Sequence, residues 1–224
     1  MAILIPRKKE FWQRRPTYEP QVDYGHYLAD DLTSQRLFID SFADENGEDP
    51  NSISNVSLSP YGLEVTAATA NCRIDNPLVS GGCTIEMLVA SDLLFTTENG
   101  SRYFFDTYEG SNKRTLLYYD HSVDRTFLYT NDSNRGFVSG GIPIQGSKEL
   151  NTSIAITIPS NKMYVDGELF HTFSSGDTGT IADNLYIGNR FNLAESLGGH
   201  IELFRTYKRE ISENEIYSLY ENRN

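Results

Sequence analysis

The first candidates for chemistry in this 224-residue sequence are its carboxylates. Hydrolysis of a glycosidic bond needs two carboxyl groups that flank the bond, and alternate residues of one β-strand place such a pair on one face. No strand that we predict carries acids in this pattern. Glu213 and Glu215 are two residues apart, but they lie on a predicted helix, where such residues do not face each other. Glu45, Glu48 and Asp49 lie in a polar loop. We therefore expect no catalytic pair and no enzyme.

Other kinds of site have equally weak support. The sequence contains no Gly-x-Ser-x-Gly motif and no glycine-rich phosphate loop. Its histidines have neither metal-ligand spacing nor cysteine partners: His26, His121, His171 and His200. We expect no cofactor. Calcium is the alternative that stays open, because residues 44–49, Asp120 and Asp132 offer oxygen ligands in loops. A solvated acidic loop is the favoured interpretation of residues 44–49, since their glycine is misplaced for an EF-hand.

Four tyrosines are candidates for sugar recognition, which needs exposed ring faces together with polar groups that orient hydroxyls. They are Tyr108, Tyr118, Tyr119 and Tyr129. Aromatic residues in a β-sandwich are mostly core residues or cross-strand neighbours, and we favour that interpretation here.

Charge is distributed unevenly along the sequence. The chain has a net charge of −12, which disfavours binding to nucleic acid. Residues 1–15 nevertheless hold five basic residues and one acid, so the rest of the chain carries 14 basic and 30 acidic residues. The segment has neither the order of charges nor the cleavage site of a signal peptide, and no stretch is long enough to span a membrane. We expect synthesis in the cytosol and no membrane association. Cys72 and Cys83 are then expected to be buried free thiols, with a disulfide as the alternative.

Residues 1–35 are predicted to be an extended basic arm, because three prolines prevent regular ladders while aromatic residues interrupt a charged segment. We expect the arm to bind a partner through its apolar and basic side chains. These are Ile3, Ile5, Arg7, Lys8, Lys9, Phe11, Trp12, Arg14 and Arg15. The alternative is that the arm packs on its own domain.

Residues 36–224 show the pattern of an all-β domain, in which short apolar strands alternate with polar turns. The segments predicted as strands are 62–69, 83–90, 103–107, 115–119, 126–130, 153–158, 185–188 and 200–207. Within residues 153–158, Ile154, Ile156 and Ile158 fall on one face, which should lie in the core.

A hairpin and a helix are the most specific local predictions. Asp166-Gly167 supplies the positive φ angles of a type I′ turn within residues 162–171. A two-residue loop would pair Val165 with Glu168, Tyr164 with Leu169, and Met163 with Phe170. Near the end of the chain, Ser212 and Glu215 form a capping box and Ile211 can pack on Ile216, so a helix should begin there. It would direct Ile216, Leu219 and Tyr220 towards the sandwich.

These segments, taken together, resemble the laminin-G-like domains of the concanavalin A-like jelly-roll fold. The resemblance rests on Met163-Tyr164-Val165-Asp166-Gly167-Glu168, on Leu185-Tyr186-Ile187-Gly188 and on the segment from Gly199 to Ser212, in that order, with an early core strand at residues 84–89. It covers about residues 56–221. Glu149-Leu150-Asn151-Thr152-Ser153 stands where the family usually has Trp-His-His, so no ligand site is transferred from the family. The resemblance implies a jelly-roll β-sandwich with a short C-terminal helix.

The arm carries a second resemblance. Ile3-Leu4-Ile5-Pro6-Arg7-Lys8-Lys9, followed by Val22-Asp23-Tyr24-Gly25, is similar to the start of laminin-G-like proteins encoded in tailed-phage structural gene clusters. It implies a non-catalytic virion protein made in the host cytoplasm, with capsid decoration favoured over a tail or receptor-binding role. Expected partners are other virion proteins, above all the major capsid protein, further copies of the chain, and a host surface glycan as an additional option. A free carbohydrate-binding or adhesion module is the alternative, and a glycoside hydrolase of the same fold is the less favoured one.

Overall fold

Apolar residues at alternate positions build two antiparallel sheets, which pack face to face in the computed structural model. The structure describes residues 28–38, 41–44, 46–90, 100–108, 114–131, 134–144, 151–174 and 182–221. The strands are β1 (Leu32–Leu37), β2 (Ser52–Ser54), β3 (Ser57–Ser59), β4 (Gly62–Val65), β5 (Asn71–Asp75), β6 (Cys83–Ala90), β7 (Ser101–Thr107), β8 (Leu116–Asp120), β9 (Arg125–Asn131), β10 (Asn134–Ser139), β11 (Thr152–Ile158), β12 (Lys162–Val165), β13 (Glu168–Thr172), β14 (Asn184–Ile187) and β15 (Gly199–Tyr207). One helix, α1 (Glu213–Glu221), follows them.

The two sheets have different strand orders. The first sheet runs β13-β12-β11-β6-β15-β4-β3, and β1 pairs with β15 beside this path. The second sheet runs β10-β9-β8-β7-β14-β5-β2. Strands that are distant in sequence are therefore neighbours, and the all-β jelly-roll architecture predicted from the sequence is confirmed.

The core lies between the sheets, as the isoleucine pattern predicts. Ile154 and Ile156 of β11 are fully buried in it, in the same apolar cluster as Phe105 and Leu117 of the second sheet. The intervening residue, Ala155, points to the other side of the first sheet and packs in a separate apolar cluster with the helix. Each fully buried side chain of this size stabilises the fold by roughly 1.5–3 kcal/mol.

The predicted hairpin forms at Asp166 and Gly167, which have φ angles of +49° and +82°. The pairs Val165–Glu168 and Tyr164–Leu169 are confirmed. The third predicted pair is wrong, because a register shift makes Met163 the partner of His171 rather than of Phe170. The hairpin ends at the edge strand β13, and sheet edges are where such bulges are common.

Two predicted boundaries differ from those observed. The strand predicted over residues 62–69 ends at Val65, and the chain then turns, with the amide of Ala70 donating a hydrogen bond to the carbonyl of Ala67. At the start of the domain, β1 begins at Leu32 and pairs with β15 from Leu32 to Leu37. The sandwich therefore includes residues that the sequence analysis assigned to the arm.

The helix begins as predicted. The amide of Ser212 donates to the Glu215 carboxylate at 2.5 Å, and the Glu215 amide donates to the Ser212 hydroxyl at 3.3 Å, which completes the capping box. Ile211 and Ile216 are both buried in the cluster beneath the helix, and Leu219 packs partly against it. The helix thus covers the outer face of the first sheet.

Both cysteines are free and buried, as the sequence analysis favoured. Burial raises the pKa of Cys72 and of Cys83 to about 12. Among the described residues, no helix has the length and apolar character needed to cross a bilayer.

Candidate functional site

The outer face of the second sheet carries a row of four aromatic residues on neighbouring strands. Tyr103 lies opposite Tyr118, Tyr118 opposite Phe127, and Phe127 opposite Phe137. We call these four residues the aromatic row. The centroids of successive rings are 4.9, 5.0 and 5.8 Å apart, and the first three rings are nearly parallel, with interplanar angles of 12° and 14°. The rings therefore stack on one another across the strands.

This stacking decides what the aromatic row can bind. Tyr103, Tyr118 and Phe127 are 5, 9 and 6% exposed, so the faces that a sugar ring would contact are already covered. Phe137, at the edge of the sheet, is 45% exposed, and the Arg125 guanidinium lies 4.1 Å from its ring centre. The row is a stabilising cross-strand cluster with one accessible end.

The other tyrosines considered for sugar recognition are also engaged within the protein. The hydroxyl of Tyr119 donates to the Asp124 carboxylate at 2.8 Å. Tyr129 is tilted against Tyr118, with ring centroids 5.9 Å apart. Tyr108 stacks on Phe191 at 3.7 Å. The interpretation of these residues as structural neighbours agrees with the geometry of all four.

One carboxylate lies on the same face, and a guanidinium holds it. The Nε and Nη2 atoms of Arg114 donate to the two oxygens of Asp106 at 2.8 and 2.7 Å, and the amide of Phe191 donates to the same carboxylate at 3.0 Å. Burial raises the pKa of the fully buried Asp106 carboxyl, and these three hydrogen bonds oppose the shift. Both carboxylate oxygens are occupied, so this group is poorly placed to act as a nucleophile or a general acid.

The surroundings of this ion pair form a compact rim at one end of the aromatic row. The Arg114 guanidinium carbon lies 5.2 Å from the Phe191 ring centre, and that of Arg190 lies 5.8 Å from the ring of Tyr103. Arg190 also pairs with Glu195 at 3.1 Å. Positive groups therefore flank the aromatic residues at this end, and the protein supplies their counter-ions.

A second buried carboxylate, Glu86, lies on the opposite side of the molecule. It accepts a hydrogen bond from the Tyr207 hydroxyl at 3.3 Å and pairs with Arg205 at 3.1 Å. Glu86 belongs to the first sheet and Asp106 to the second, so these acids do not form a pair around one substrate bond.

The acidic loop that was considered for calcium binds the side chain of an arginine. Arg36 of β1 is 5% exposed, and its Nη1 donates to the carbonyls of Phe42 and Glu48 at 2.8 Å each. Its Nη2 lies 3.6 Å from the Asp44 carboxylate, which is itself only 7% exposed. The prediction that this loop is simply solvated is therefore wrong for Asp44. A fixed guanidinium meets the oxygen atoms that a cation would otherwise bind.

The remaining candidate ligands are dispersed. His200 is buried 3.4 Å from Glu64, His171 packs on Phe173, and the Asp120 carboxylate accepts hydrogen bonds from Ser122. Within the described ranges, no group of three or more His, Cys, Asp or Glu residues could hold a metal ion. His26, Glu45 and Asp132 lie outside the described residues.

The arm candidates also lie outside the described residues: Ile3, Ile5, Arg7, Lys8, Lys9, Phe11, Trp12, Arg14 and Arg15. The structure does describe the place where the chain joins the sandwich. Leu28 is 2% exposed in the apolar cluster beneath the helix, with Tyr164, Tyr207, Ile211 and Ile216. Leu28 thus lies at the helix-covered face of the first sheet, on the side opposite the aromatic row.

Ion pairs reinforce this junction. Arg209 donates to Asp31 at 2.5 Å and to Glu215 of the helix at 2.7 Å, and the amide of Lys208 donates to the Asp31 carbonyl at 2.8 Å. The hydrogen bonds from Arg209 hold the pKa of Glu215 down at about 2. Asp31 therefore fixes the start of the described chain to the residues that follow β15, and Arg209 links it in turn to the helix.

The sequence analysis missed the two guanidinium sites. Asp106 and Arg114 are eight residues apart, and Asp106 falls inside a predicted strand. An acid within an otherwise apolar strand was the one available signal, because a buried carboxylate requires a partner. Arg36 gave no comparable signal, since its acceptors include main-chain carbonyls.

Comparisons with known proteins identify the fold. No protein-family model and no curated protein sequence matches the chain. The Trypanosoma rangeli sialidase is similar over 85% of this chain and 32% of its own, with 15% identity and a TM-score of 0.62. The receptor-binding domain of botulinum neurotoxin type G is similar over 86% of this chain and 51% of its own, with 13% identity and a TM-score of 0.62. A third similar structure is domain 4 of AbnA, a GH43 extracellular arabinanase from Geobacillus stearothermophilus, solved in complex with arabinotriose. The similarity covers 85% of this chain and 98% of that domain, with 19% identity and a TM-score of 0.61.

The three similar structures differ in how much of their own length this chain covers. The chain spans about a third of the sialidase and about half of the toxin domain, but nearly all of the arabinanase domain. At these identities the likeness concerns the fold alone. The protein has a concanavalin A-like jelly-roll β-sandwich.

Proposed function

We propose that this protein is a non-catalytic structural component of a tailed-phage particle, in which the N-terminal arm attaches the jelly roll to other virion proteins. Capsid decoration is the favoured role, with the major capsid protein as the partner of the arm. The observation that supports it best is the junction at Leu28 and Asp31, which fixes the start of the sandwich to β15 and the helix. Because this junction is firmly packed, a partner that binds the arm would also keep the whole domain attached.

The arm has the chemistry of an anchor. Ile3, Ile5, Phe11 and Trp12 offer apolar area, and burying such side chains contributes roughly 1.5–3 kcal/mol each before ordering costs. Five basic residues accompany them, and they can pair with carboxylates or carbonyls of a partner: Arg7, Lys8, Lys9, Arg14 and Arg15. Leu28 lies beneath the helix on one face of the sandwich, and the aromatic row lies on the other face.

The non-catalytic part of the proposal rests on Asp106. Its two carboxylate oxygens bind Arg114, and Glu195, the other acid of this rim, is paired with Arg190. We expect no hydrolysis of β-glucans, galactans or arabinans. Release of reducing sugar that is lost in Asp106→Asn but kept in Asp183→Asn, an exposed acid elsewhere, would contradict this expectation.

Purified particles provide the test of location. Particles separated on a density gradient should contain the protein in a fixed ratio to the major capsid protein, and empty heads without tails should retain it. Its presence only in tail fractions would favour the tail role. Its absence from all particle fractions would contradict the virion proposal.

A free carbohydrate-binding module is the second candidate, and one comparison favours it. The arabinanase domain that this chain matches over nearly its full length was solved with arabinotriose. Against it, the ring faces of the aromatic row are covered by their neighbours. Calorimetric titration with arabino-oligosaccharides distinguishes the two candidates. A carbohydrate-binding module should give a heat of binding, whereas the virion proposal predicts none that depends on the aromatic row.

A further inference from the structure

A cavity of about 380 Å³ lies between the outer face of the first sheet and the start of the helix. Thr157 of β11 and Lys162 and Tyr164 of β12 line it from the sheet, since they share the outer face with Ala155. Residues 209–213, which connect β15 to the helix, line it from the other side. The cavity therefore belongs to the helix-covered face and is separate from the aromatic row.

The hydroxyl of Tyr164 opens into this cavity. The residue is only 3% exposed, and its ring packs in the apolar cluster beneath the helix. Within the described part of the chain, no group forms a hydrogen bond with this hydroxyl, and its oxygen is not among the completely enclosed polar atoms. Because a buried tyrosine hydroxyl usually has a partner, a group from outside the chain is the expected one.

Two carboxylates face the same cavity from the side of the helix. Glu210 Oε1 accepts a hydrogen bond from the Ser160 amide at 2.5 Å, which fixes this side chain at the edge of the cavity. Glu213 is the exposed first residue of the helix and forms no ion pair with any residue of the described ranges. Burial raises the pKa of Tyr164, and the negative charges of Glu213 and Glu210 raise it further, so both carboxylates act on this hydroxyl.

The charges around the cavity do not cancel. Arg209 donates to both carboxylate oxygens of Glu215, at 3.1 and 2.7 Å, and these two charges neutralise each other. Lys162 is the other basic residue of the lining, and it has no ion-pair partner among the residues that the structure describes. Two carboxylates, those of Glu210 and Glu213, therefore remain against one ammonium, and this excess of negative charge favours a cation.

The start of the helix does not reverse this preference. A helix N-terminus by itself attracts anions, because its first amide groups have no acceptor within the helix. Here the Ser212 hydroxyl accepts from the Glu215 amide, and the Glu215 carboxylate accepts from the Ser212 amide. Glu213 adds a negative charge to the same turn. The first turn therefore presents carboxylate oxygens to the cavity.

We propose that this cavity binds a primary ammonium group, which donates to the Tyr164 hydroxyl and to the carboxylates of Glu210 and Glu213. An ammonium has three N–H donors and no acceptor, so it matches three acceptors of which two are charged. An anion in the same place would meet two carboxylates. A small free amine and the lysine side chain of a partner protein carry the same group, and the experiment below distinguishes these two sources.

Titration of the isotope-labelled full-length protein with n-butylammonium chloride, followed by NMR, tests the proposal. The amide signals of residues 160–164 and 209–215 should shift until they saturate. Tetramethylammonium, which has the charge but no N–H donor, and butyrate should not produce this shift. If Nα-acetyl-lysine methylamide binds more tightly than butylammonium, the site is for a partner's lysine, and if it binds equally or more weakly, the site is for a free amine. No saturable shift with either amine, or saturation by butyrate, would overturn the proposal.

Substitutions in the cavity provide the second arm of the test. Tyr164→Phe keeps the ring and should raise the dissociation constant of butylammonium at least about tenfold, and Glu213→Gln should raise it about threefold. Lys162→Met removes the competing charge and should lower it about threefold. Glu168→Gln, at an exposed acid of β13 outside the cavity, is the matched control and should leave it unaltered. Weaker binding by Lys162→Met, or unaltered binding by Tyr164→Phe, would overturn the proposal. The urea midpoint of each variant shows that the fold persists, and because no phage particle is needed, the outcome is independent of the proposed function.

Discussion

Replacement of Gly167 by valine tests the link between the hairpin turn and the helix. Gly167 has a φ angle of +82°, a conformation that a β-branched residue resists. The turn sets the register of β12 and β13, and Tyr220 of the helix lies directly above it. The substitution therefore strains the backbone and the packing together.

The structure gives a magnitude for each effect. A non-glycine residue in this region costs about 1–3 kcal/mol. A Cβ atom at residue 167 would also lie 3.1 Å from the Cβ and from the Cδ1 of Tyr220, so the helix must shift rather than only a side-chain tip. We expect Gly167→Val to lower the free energy of unfolding by an amount in the upper half of that range.

Gly47 provides a matched control. Its φ angle is +81°, and no atom lies within 4 Å of the position of an added Cβ. Gly47→Val thus introduces the same backbone strain without the contact, and it should cost less than Gly167→Val. Urea unfolding followed by far-ultraviolet circular dichroism measures both. An unchanged midpoint for Gly167→Val would refute the hairpin argument, and equal shifts for the two variants would refute the role of Tyr220.

The remaining predictions concern ionisable groups. Asp106→Asn should lower the free energy of unfolding by about 3 kcal/mol in a denaturant titration, because it leaves the Arg114 guanidinium without its buried counter-ion. Glu215→Gln should cost about 1 kcal/mol at neutral pH. Because the pKa of Glu215 falls from 4.5 to about 2 on folding, its stabilisation is complete above pH 4.5 and is lost as the pH falls towards 2, where variant and wild type should converge in acid-unfolding curves. Cys72 and Cys83 should not react with a thiol reagent until urea unfolds the protein, since burial raises the pKa of each to about 12.

Local chemistry explains which parts of the fold were predictable. The turn at Asp166-Gly167 and the capping box of Ser212 and Glu215 depend on residues close in sequence, and both were predicted correctly. The bulge that moves Met163 to His171 arises at a sheet edge, and no residue type in the hairpin specifies it. The start of β1 at Leu32 depends on pairing with β15, far away along the chain.

The candidate site was predictable only in part, for the same reason. The interpretation of Tyr118 as a cross-strand neighbour followed from the frequency of such pairs, and the geometry agrees with it. The ion pair of Asp106 and Arg114 could not be predicted, because a bulge in β7 changes which side chains share a face of the sheet. The position of Arg36 within the acidic loop could not be predicted either, because it depends on the path of the loop backbone, which the composition of the loop does not determine.

Attachment of the arm to particles is the most direct test of the proposed function. Because the arm is proposed to bind a partner rather than the sandwich, removal of residues 1–20 should leave the melting temperature nearly unchanged. Full-length protein should sediment with particles that lack the endogenous copy, and the truncated protein should stay in the supernatant. Trp12→Ala should weaken attachment, and reversal of the charges of Lys8 and Lys9 should weaken it more at low salt than at high salt. Truncated protein that decorates particles fully, or that unfolds, would contradict the assignment of the arm as the anchor.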